Sequence, residues 1–289
     1  MRYVNWKEYE LIDASNGRRL EKWGDKILIR PDPQVIWSSK EEDERWRNPD
    51  NVYHRSKSGG GHWEIINPPS PDWTVSYKKL KFHLKLMNFK HTGVFPEQAV
   101  NWDFMNNIIK NSNESLNILN LFAYTGGASL ACLEAGAKVC HVDSSRGMIS
   151  HARENAILSG LDKSPVRWIV DDCEKFVNRE IRRGNKYDGI ILDPPSYGRG
   201  PKGEIWKLED NLFDFLKLCE ALLSEKARFV VLNSYSAGLS PSITGYMLSK
   251  LIVPKHGGKV QCDEIGIKVT NSGLVLPMGN TAIWTSTAV

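Results

Sequence analysis

Asn117-Ile118-Leu119-Asn120-Leu121-Phe122-Ala123-Tyr124-Thr125-Gly126-Gly127 decides the fold. Its first six residues read as a buried strand, its end is a diglycine turn, and an alanine-rich stretch follows until Gly136 stops it. Strand, glycine turn and helix in that order begin a βαβ unit, and the pattern then repeats. Lys138-Val139-Cys140-His141-Val142 forms the next strand and ends in Asp143, after which Met148, Ile149, Ala152, Ala156 and Ile157 recur at helical spacing. Val166-Arg167-Trp168-Ile169-Val170 is a third strand, ending in Asp171-Asp172. Tyr187-Asp188-Gly189-Ile190-Ile191-Leu192 is a fourth, running into Asp193-Pro194-Pro195-Ser196-Tyr197. An amphipathic helix around Asn211 to Leu223, a fifth strand at 228–233, a helix around Ile243 to Leu251 and two extended segments close the chain. The last of these, Thr281-Ala282-Ile283-Trp284, suits an antiparallel hairpin. The expected class is α/β, a mostly parallel sheet with a C-terminal antiparallel hairpin.

Working back toward the start, the pattern changes near residue 90. Tyr9-Glu10-Leu11-Ile12-Asp13, Lys26-Ile27-Leu28-Ile29-Arg30 and His62-Trp63-Glu64-Ile65-Ile66 are short extended runs. They are separated by Asn16-Gly17, Pro31-Asp32-Pro33, Gly59-Gly60-Gly61 and Asn67-Pro68-Pro69, all turn signals. A small β-rich domain is therefore expected over 1–90 and the α/β domain over 91–289. Glu41 to Gly61 is polar and reads as a long loop. Residues 73–77 and 80–86 alternate apolar with basic residues at a period of two, leaving one face for a core and one for solvent. That second face, with Lys78, Lys79, Lys81, Lys85, Lys90, His83 and nearby Tyr77, has the chemistry to track a phosphate backbone. An ordinary solvated strand face accounts for it equally well.

Composition narrows the classes. The 38 Lys+Arg against 34 Asp+Glu give +4, compatible with a polyanionic partner without demanding one. No apolar stretch is long enough to span a bilayer, and the opening Met1-Arg2-Tyr3-Val4-Asn5-Trp6-Lys7 lacks a signal-peptide core, so a cytoplasmic protein with no membrane partner is expected. Cys132, Cys140, Cys173, Cys219 and Cys262 are odd in number and never spaced as C-x-x-C, which argues for buried free thiols and against a metal site. Nothing in the sequence sets an oligomeric state.

The chemistry sits where the strands end, because open α/β sheets bind ligands beyond the carboxyl ends of their strands. The Gly126-Gly127 turn lets backbone N–H groups approach a ligand and opens a helix whose positive end favours a carboxylate. Asp143 is placed to accept from ribose hydroxyls, as in nicotinamide enzymes. Asp171 or Asp172 can accept from an adenine amino group, with a helix N-cap as the equally weighted alternative and Asp172 the better ligand candidate. In Asp193-Pro194-Pro195, two prolines fix φ twice and remove two donors, holding the preceding carboxylate and carbonyls toward a pocket. Tyr197 can stack on a planar substrate there.

Asn120 to Gly127, Val170-Asp171-Asp172 and Leu192-Asp193-Pro194-Pro195 together resemble the class I S-adenosylmethionine-dependent methyltransferases that modify bases of large-subunit ribosomal RNA. His91-Thr92-Gly93-Val94-Phe95-Pro96-Glu97-Gln98 is similar to the segment by which that family enters its catalytic domain. The resemblance implies a Rossmann-like sheet, S-adenosylmethionine as cofactor and an RNA substrate. It places Tyr124, Thr125, Gly126 and Gly127 at the methionine end, Asp143 at the ribose, Asp172 at the adenine, and Asp193, Pro194 and Pro195 beside the acceptor, where the stacking reading of Tyr197 joins them. Phe95, Gln98, Phe122, Ser144, Asp171, Cys173 and Asp193 complete the implied cofactor-lining set.

Members that methylate cytosine at carbon 5 resemble one another in a cysteine after the fifth strand, whereas this chain reads Asn233-Ser234-Tyr235-Ser236-Ala237-Gly238. Tyr235 stands in the cysteine's place, so a nitrogen acceptor and no covalent intermediate are expected. Three rival readings stand beside this one. A nicotinamide oxidoreductase lacks its G-x-G-x-x-G here. A non-catalytic RNA-binding relative would suit Tyr235 and the basic strand, and a methyltransferase of proteins or small molecules would share the same donor site.

Overall fold

The computed structural model describes residues 1–56, 60–199, 205–236 and 238–287. The chain forms two compact units, one of Met1–Arg2, Gln98–Ile265 and Pro277–Val289, the other of Tyr3–Glu97 and Gly266–Leu276.

The second of these carries a five-stranded sheet in the order β1 (Tyr9–Ser15), β2 (Arg18–Trp23), β3 (Lys26–Pro31), β4 (Asn51–Arg55), β5 (Gly61–Ile65). All neighbours are antiparallel except β3 and β4. Asn16 and Gly17 both adopt positive φ, the hairpin turn their dipeptide signals. The charged run Arg18-Arg19-Leu20-Glu21-Lys22-Trp23, which carries no strand signal of its own, is β2. Leu20 and Trp23 are fully buried and Leu20 joins Ile12, Ile29 and Trp46 in a core. Glu21, also fully buried, accepts from Arg30 Nε (2.6 Å), Arg30 Nη2 (2.8 Å) and Tyr9 Oη (2.8 Å). Charges that satisfy one another let this strand enter the sheet.

The stretch from Glu41 to Gly61 is not the open loop its polarity suggests. It contains a 3-10 turn at Glu44–Trp46 and all of β4, because Trp46 is buried and its Nε1 donates to Asp13 Oδ2 at 2.9 Å. Lys57-Ser58-Gly59, including the first residue of the triglycine turn, lie outside the described residues. The strands β6 (Thr74–Tyr77) and β7 (Leu80–His83) form a hairpin whose Lys78, Lys79 and Lys81 are exposed, as is Lys85 beyond it. Two expected members leave that basic face. Tyr77 is buried with its ring 4.7 Å from Trp6, and Lys90 turns inward to donate to the Pro31 carbonyl at 2.9 Å. Burial, with Arg19 and Arg30 close by, lowers the Lys90 pKa to about 8.

In the other unit α1 (Ala99–Lys110) leads into β8 (Asn117–Leu121), α2 (Gly127–Glu134), β9 (Lys138–Asp143), α3 (Arg146–Leu158), β10 (Val166–Val170), α4 (Cys173–Arg182) and β11 (Gly189–Leu192). A small hairpin, β12 (Tyr197–Arg199) and β13 (Ile205–Lys207), precedes α5 (Leu208–Glu220), β14 (Phe229–Ser234), α6 (Pro241–Leu251), α7 (Val253–His256), β15 (Lys259–Lys268) and β16 (Val275–Thr285). The sheet order is β10-β9-β8-β11-β14-β16-β15. The first five strands are parallel, and β16 returns antiparallel to β14. From β8 the chain moves outward to β10 and then crosses back to β11, so strand order reverses between β8 and β11 and a crevice opens at their carboxyl ends. Leu119, Leu121, Ile190, Leu192, Val230 and Leu232 bury the centre of this sheet against Phe176, Phe215 and Leu216. Four cysteines are buried as expected, but Cys262 on the outermost strand is exposed. No helix among the described residues is long and apolar enough to cross a membrane.

Candidate functional site

Register sets the site. Ile169, Val142, Leu121, Leu192 and Leu232 stand in one row across the five parallel strands. The next residues along four of these strands, Asp143, Phe122, Asp193 and Asn233, therefore stand side by side at the carboxyl edge, where β8 and β11 have already ended and Asp143 and Asn233 are still paired with Val170 and Thr281.

The β8–α2 loop has an unusual backbone. Phe122 (φ 55°), Tyr124 (φ 51°) and Gly126 (φ 93°) are all left-handed, and only one of them is glycine. Several bonds hold that shape. Phe122 N donates to Cys173 Sγ at 3.3 Å, Ala123 N to the Val142 carbonyl at 3.0 Å, and Tyr124 N to Asp143 Oδ2 at 2.9 Å. From beneath, Asn155 Nδ2 donates to the carbonyl of the buried Thr125 at 3.0 Å. The two glycines serve different ends. Gly126 supplies the left-handed N-cap of α2, whereas a Cβ on Gly127 would lie 2.4 Å from Trp102 Cζ2. Gly127 is thus a packing glycine between α1 and α2. The first-turn N–H groups of α2, which helix geometry leaves without intrahelical partners, face the crevice.

Under this loop lies a buried polar chain that the sequence reading does not contain. Asn120 Nδ2 donates to Ser129 Oγ at 2.9 Å, and Ser129 Oγ is 2.9 Å from His141 Nδ1. Complete burial lowers the His141 pKa to about 3, so the ring stays neutral against Trp168 at 4.8 Å.

Asp143 is half-buried, and burial raises its pKa although the Ser145 and Tyr124 amides bond to it. Ser144 beside it is exposed. At the end of β10 the capping alternative is realised: Asp172 Oδ1 accepts from Lys175 N at 2.9 Å as N-cap of α4, and Asp171 is ion-paired with Arg179. Cys173 is buried with its thiol pKa pushed up by burial, so its side chain supports the loop and only its backbone can face a ligand.

Asp193 is half-buried, Pro194 buried and Pro195 exposed. The Pro195 carbonyl accepts from Trp206 Nε1 at 2.7 Å, and Trp206 forms an aromatic trio with Phe122 (5.8 Å) and Phe215 (5.7 Å). The trio ties the proline turn to the loop after β8. Tyr197 is 49% exposed on β12, opposite Lys207.

Beyond β14, Tyr235 Oη accepts from Gln98 Nε2 at 2.8 Å. Asn101 Nδ2 donates to both Gln98 Oε1 (3.1 Å) and Asn233 Oδ1 (3.0 Å), locking the start of α1 to the end of β14. Ala237 in this stretch lies outside the described residues. Phe95 belongs to the other unit, where its ring meets His91 edge-on at 5.3 Å. The crevice thus gathers Phe122 to Gly127, Asp143, Ser144, Asp171 to Cys173 and Asp193 to Pro195 at one sheet edge. Trp102, Asn101, Asn155, His141 and Trp206 support them, and of these only His141, a polar residue inside the apolar run at 139–142, carries a local sequence signal.

Comparison with known proteins bears on this geometry. A family model described as S-adenosylmethionine-dependent methyltransferase matches residues 51–238. The crystal structure of a SAM-dependent methyltransferase from Agrobacterium tumefaciens is 37% identical, covers 97% of this chain and 91% of its own, and superposes with a TM-score of 0.91. Ribosomal RNA large subunit methyltransferase I of Aeromonas salmonicida (strain A449) is 32% identical over 144 residues, 50% of this chain and 35% of its own. Ribosomal RNA large subunit methyltransferase K/L of Shewanella frigidimarina (strain NCIMB 400) is 27% identical over 192 residues, 65% of this chain and 26% of its own. The chain thus spans well under half the length of these curated relatives.

Proposed function

This chain belongs to the S-adenosylmethionine-dependent methyltransferase family, and from that membership we propose that it methylates a nitrogen of a base in ribosomal RNA, in the cytoplasm. The observation that carries the reading is the row Asp143, Phe122, Asp193, Asn233, which puts the diglycine loop and the Asp-Pro-Pro turn on adjacent strands at the switch point. Relatives named as ribosomal RNA methyltransferases support the substrate class.

The residues present fit the family's cofactor by their donor set. The positive end of α2 suits the carboxylate of the methionyl group, the Asp143 carboxylate suits a ribose diol, and the start of α4 at Asp172 and Cys173 suits the adenine edge. The Phe122 backbone, held in its left-handed conformation, stands at the same edge while its ring packs against Trp206 and Phe215. Bound there, S-adenosylmethionine supplies an electrophilic methyl group on a sulfonium.

The chain's own part is positioning and proton handling. Asp193 and the carbonyls of the proline turn accept from the amino group of the base, raising electron density on its nitrogen and fixing its direction. Tyr197, exposed beside the turn, stacks on the base. The residue after β14 is a phenol bonded to Gln98, and Cys173, the cysteine at this edge of the sheet, is buried with its thiol pKa pushed up, which disfavours a covalent adduct with a pyrimidine. A nitrogen needs none. Tritium transfer from labelled S-adenosylmethionine should appear in RNA from a strain lacking the gene and not in protein or small-molecule fractions. Asp193→Ala should abolish it while leaving the thermal unfolding profile intact, and full activity in that variant ends the proposal.

A further inference from the structure

The unit built around β1 to β5 has a cleft of its own, of about 400 Å³, that methyl transfer does not use. It is walled by the leading segment before β1, by the first half of β1, and by residues near 267–270. β1 is an edge strand. Thr270 N and Asn271 N cover its middle by donating to the Leu11 and Ile12 carbonyls at 2.9 and 3.0 Å. The cleft adjoins these bonds, with Leu11 and Thr270 among its lining residues.

Its lining is chemically uneven. Leu11 and Ile267 make a buried apolar floor. Trp6, one of the lining residues, is fixed in orientation: its Nε1 donates to the Pro96 carbonyl at 3.0 Å and its ring packs against Tyr77 at 4.7 Å, Tyr9 at 6.1 Å and Phe82 at 6.5 Å. Lys7 and Lys268 are exposed cations, one on each wall. Glu10 is half-buried, 3.9 Å from Arg45, and is the carboxylate of the lining. A rigid aromatic plane, two cations and one acceptor, in a space the size of a small ligand, match a nucleotide better than an aliphatic or peptidic guest.

We propose that this cleft holds one nucleotide of single-stranded RNA, the base against Trp6, its flanking phosphates at Lys7 and Lys268, and an exocyclic amine of the base donating to Glu10. It would act as a tether for substrate, and in that respect it rests on the RNA reading above. The acceptor at Glu10 favours cytosine over uracil, because cytosine N4 donates where uracil O4 cannot.

Fluorescence anisotropy with labelled oligocytidine and oligouridine decamers tests this on the full chain. Oligocytidine should bind about fivefold tighter, and Glu10→Gln should erase the difference. Trp6→Ala should weaken binding about tenfold. Lys7→Gln with Lys268→Gln should lower the slope of log affinity against log salt by about 1.4, from two phosphate contacts of about 0.7 each. The lysines are exposed, so their result stands even where Trp6→Ala loosens the fold. Unchanged slope and unchanged base preference overturn the proposal and leave the cleft to a peptide or to no ligand. Wild-type methyl transfer to RNA alongside such unaffected variants sinks the cleft alone. Transfer confined to protein or small molecules, with decamer binding still dependent on these residues, sinks the RNA-methylation reading alone.

Discussion

Replacing Gly127 by alanine separates packing from ligand approach in the diglycine turn. The added Cβ would meet Trp102 Cζ2 at 2.4 Å and two further indole atoms at 3.0 and 3.1 Å. Trp102 is buried on α1 and cannot swing out, so the strain falls on the contact between α1 and α2. Overfilling of this kind costs about 1–3 kcal/mol. Alanine's better helix propensity offsets at most about 1 kcal/mol of that. A net loss of about 1–2 kcal/mol lowers the melting temperature by roughly 2–8 °C at about 2–4 °C per kcal/mol. Circular-dichroism melts of Gly127→Ala, Trp102→Leu and the double variant give the coupling. With the indole gone, the extra methyl should be neutral or stabilising. A Gly127→Ala protein that melts like the wild type yet no longer binds cofactor would refute the reasoning, since Gly127 would then be a ligand-approach glycine.

Two further outcomes follow from the buried networks. Burial pushes the Glu21 carboxyl up, but Arg19 and Arg30 outweigh it and bring its pKa from 4.5 to about 2. Its stabilising contribution is therefore full above pH 4.5 and lost as pH falls through about 2. Glu21→Gln should cost about 3 kcal/mol at neutral pH by removing the carboxylate that faces two buried guanidinium groups, of which Arg19 keeps Asp32 as a partner, and should flatten the acid limb of a melting-temperature profile. A variant that retains both the wild-type stability and the acid limb contradicts the network. Tyr235→Phe removes the acceptor for Gln98 Nε2, which should cost about 1 kcal/mol and slow methyl transfer while cofactor affinity holds. Isothermal titration showing an equal fall in cofactor affinity would move Tyr235 from the acceptor side to the donor side.

Periodicity made the parallel sheet legible because both faces of its strands are buried. Isoleucine, valine and leucine then run almost unbroken, as at 189–192 and 229–232, and each run ends at the residue that enters the crevice. Helix α1 was not legible. Its buried face includes Asn101, and its interior carries asparagines, so apolar spacing alone does not mark it. β2 was hidden for a related reason: a strand reads as polar when Glu21 and Arg19 are buried against partners distant in sequence. At the site, Asp143 and the Asp-Pro-Pro turn were visible as strand-end residues, and register then aligned them. The tie from Gln98 to Tyr235 spans 137 residues, beyond the reach of local pattern.

The loop after β8 shows why these supports matter to chemistry. Phe122 and Tyr124 in left-handed conformations cost about 1–3 kcal/mol each. Against that stand the charge-assisted bond from Tyr124 N to Asp143, of about 1.5–3 kcal/mol, and neutral bonds at Ala123 and Thr125 of about 1 kcal/mol each. These totals are comparable, so the protein itself can hold the loop in shape before any ligand arrives. Asp143 then has two tasks. Its Oδ2 fixes the loop through Tyr124 and its Oδ1 takes Ser145 N, while the remaining lone pairs on both oxygens are what a ribose diol would use. Because one carboxylate shapes the loop and presents the acceptor, the two arrangements cannot drift apart, and binding need not reorganise either. Phe122 joins this rigid loop to Trp206, and Trp206 bonds the Pro195 carbonyl. The same chain of contacts ties the loop after β8 to the Asp-Pro-Pro turn, so on the proposed reading the alignment that in-line transfer needs is set by the protein itself.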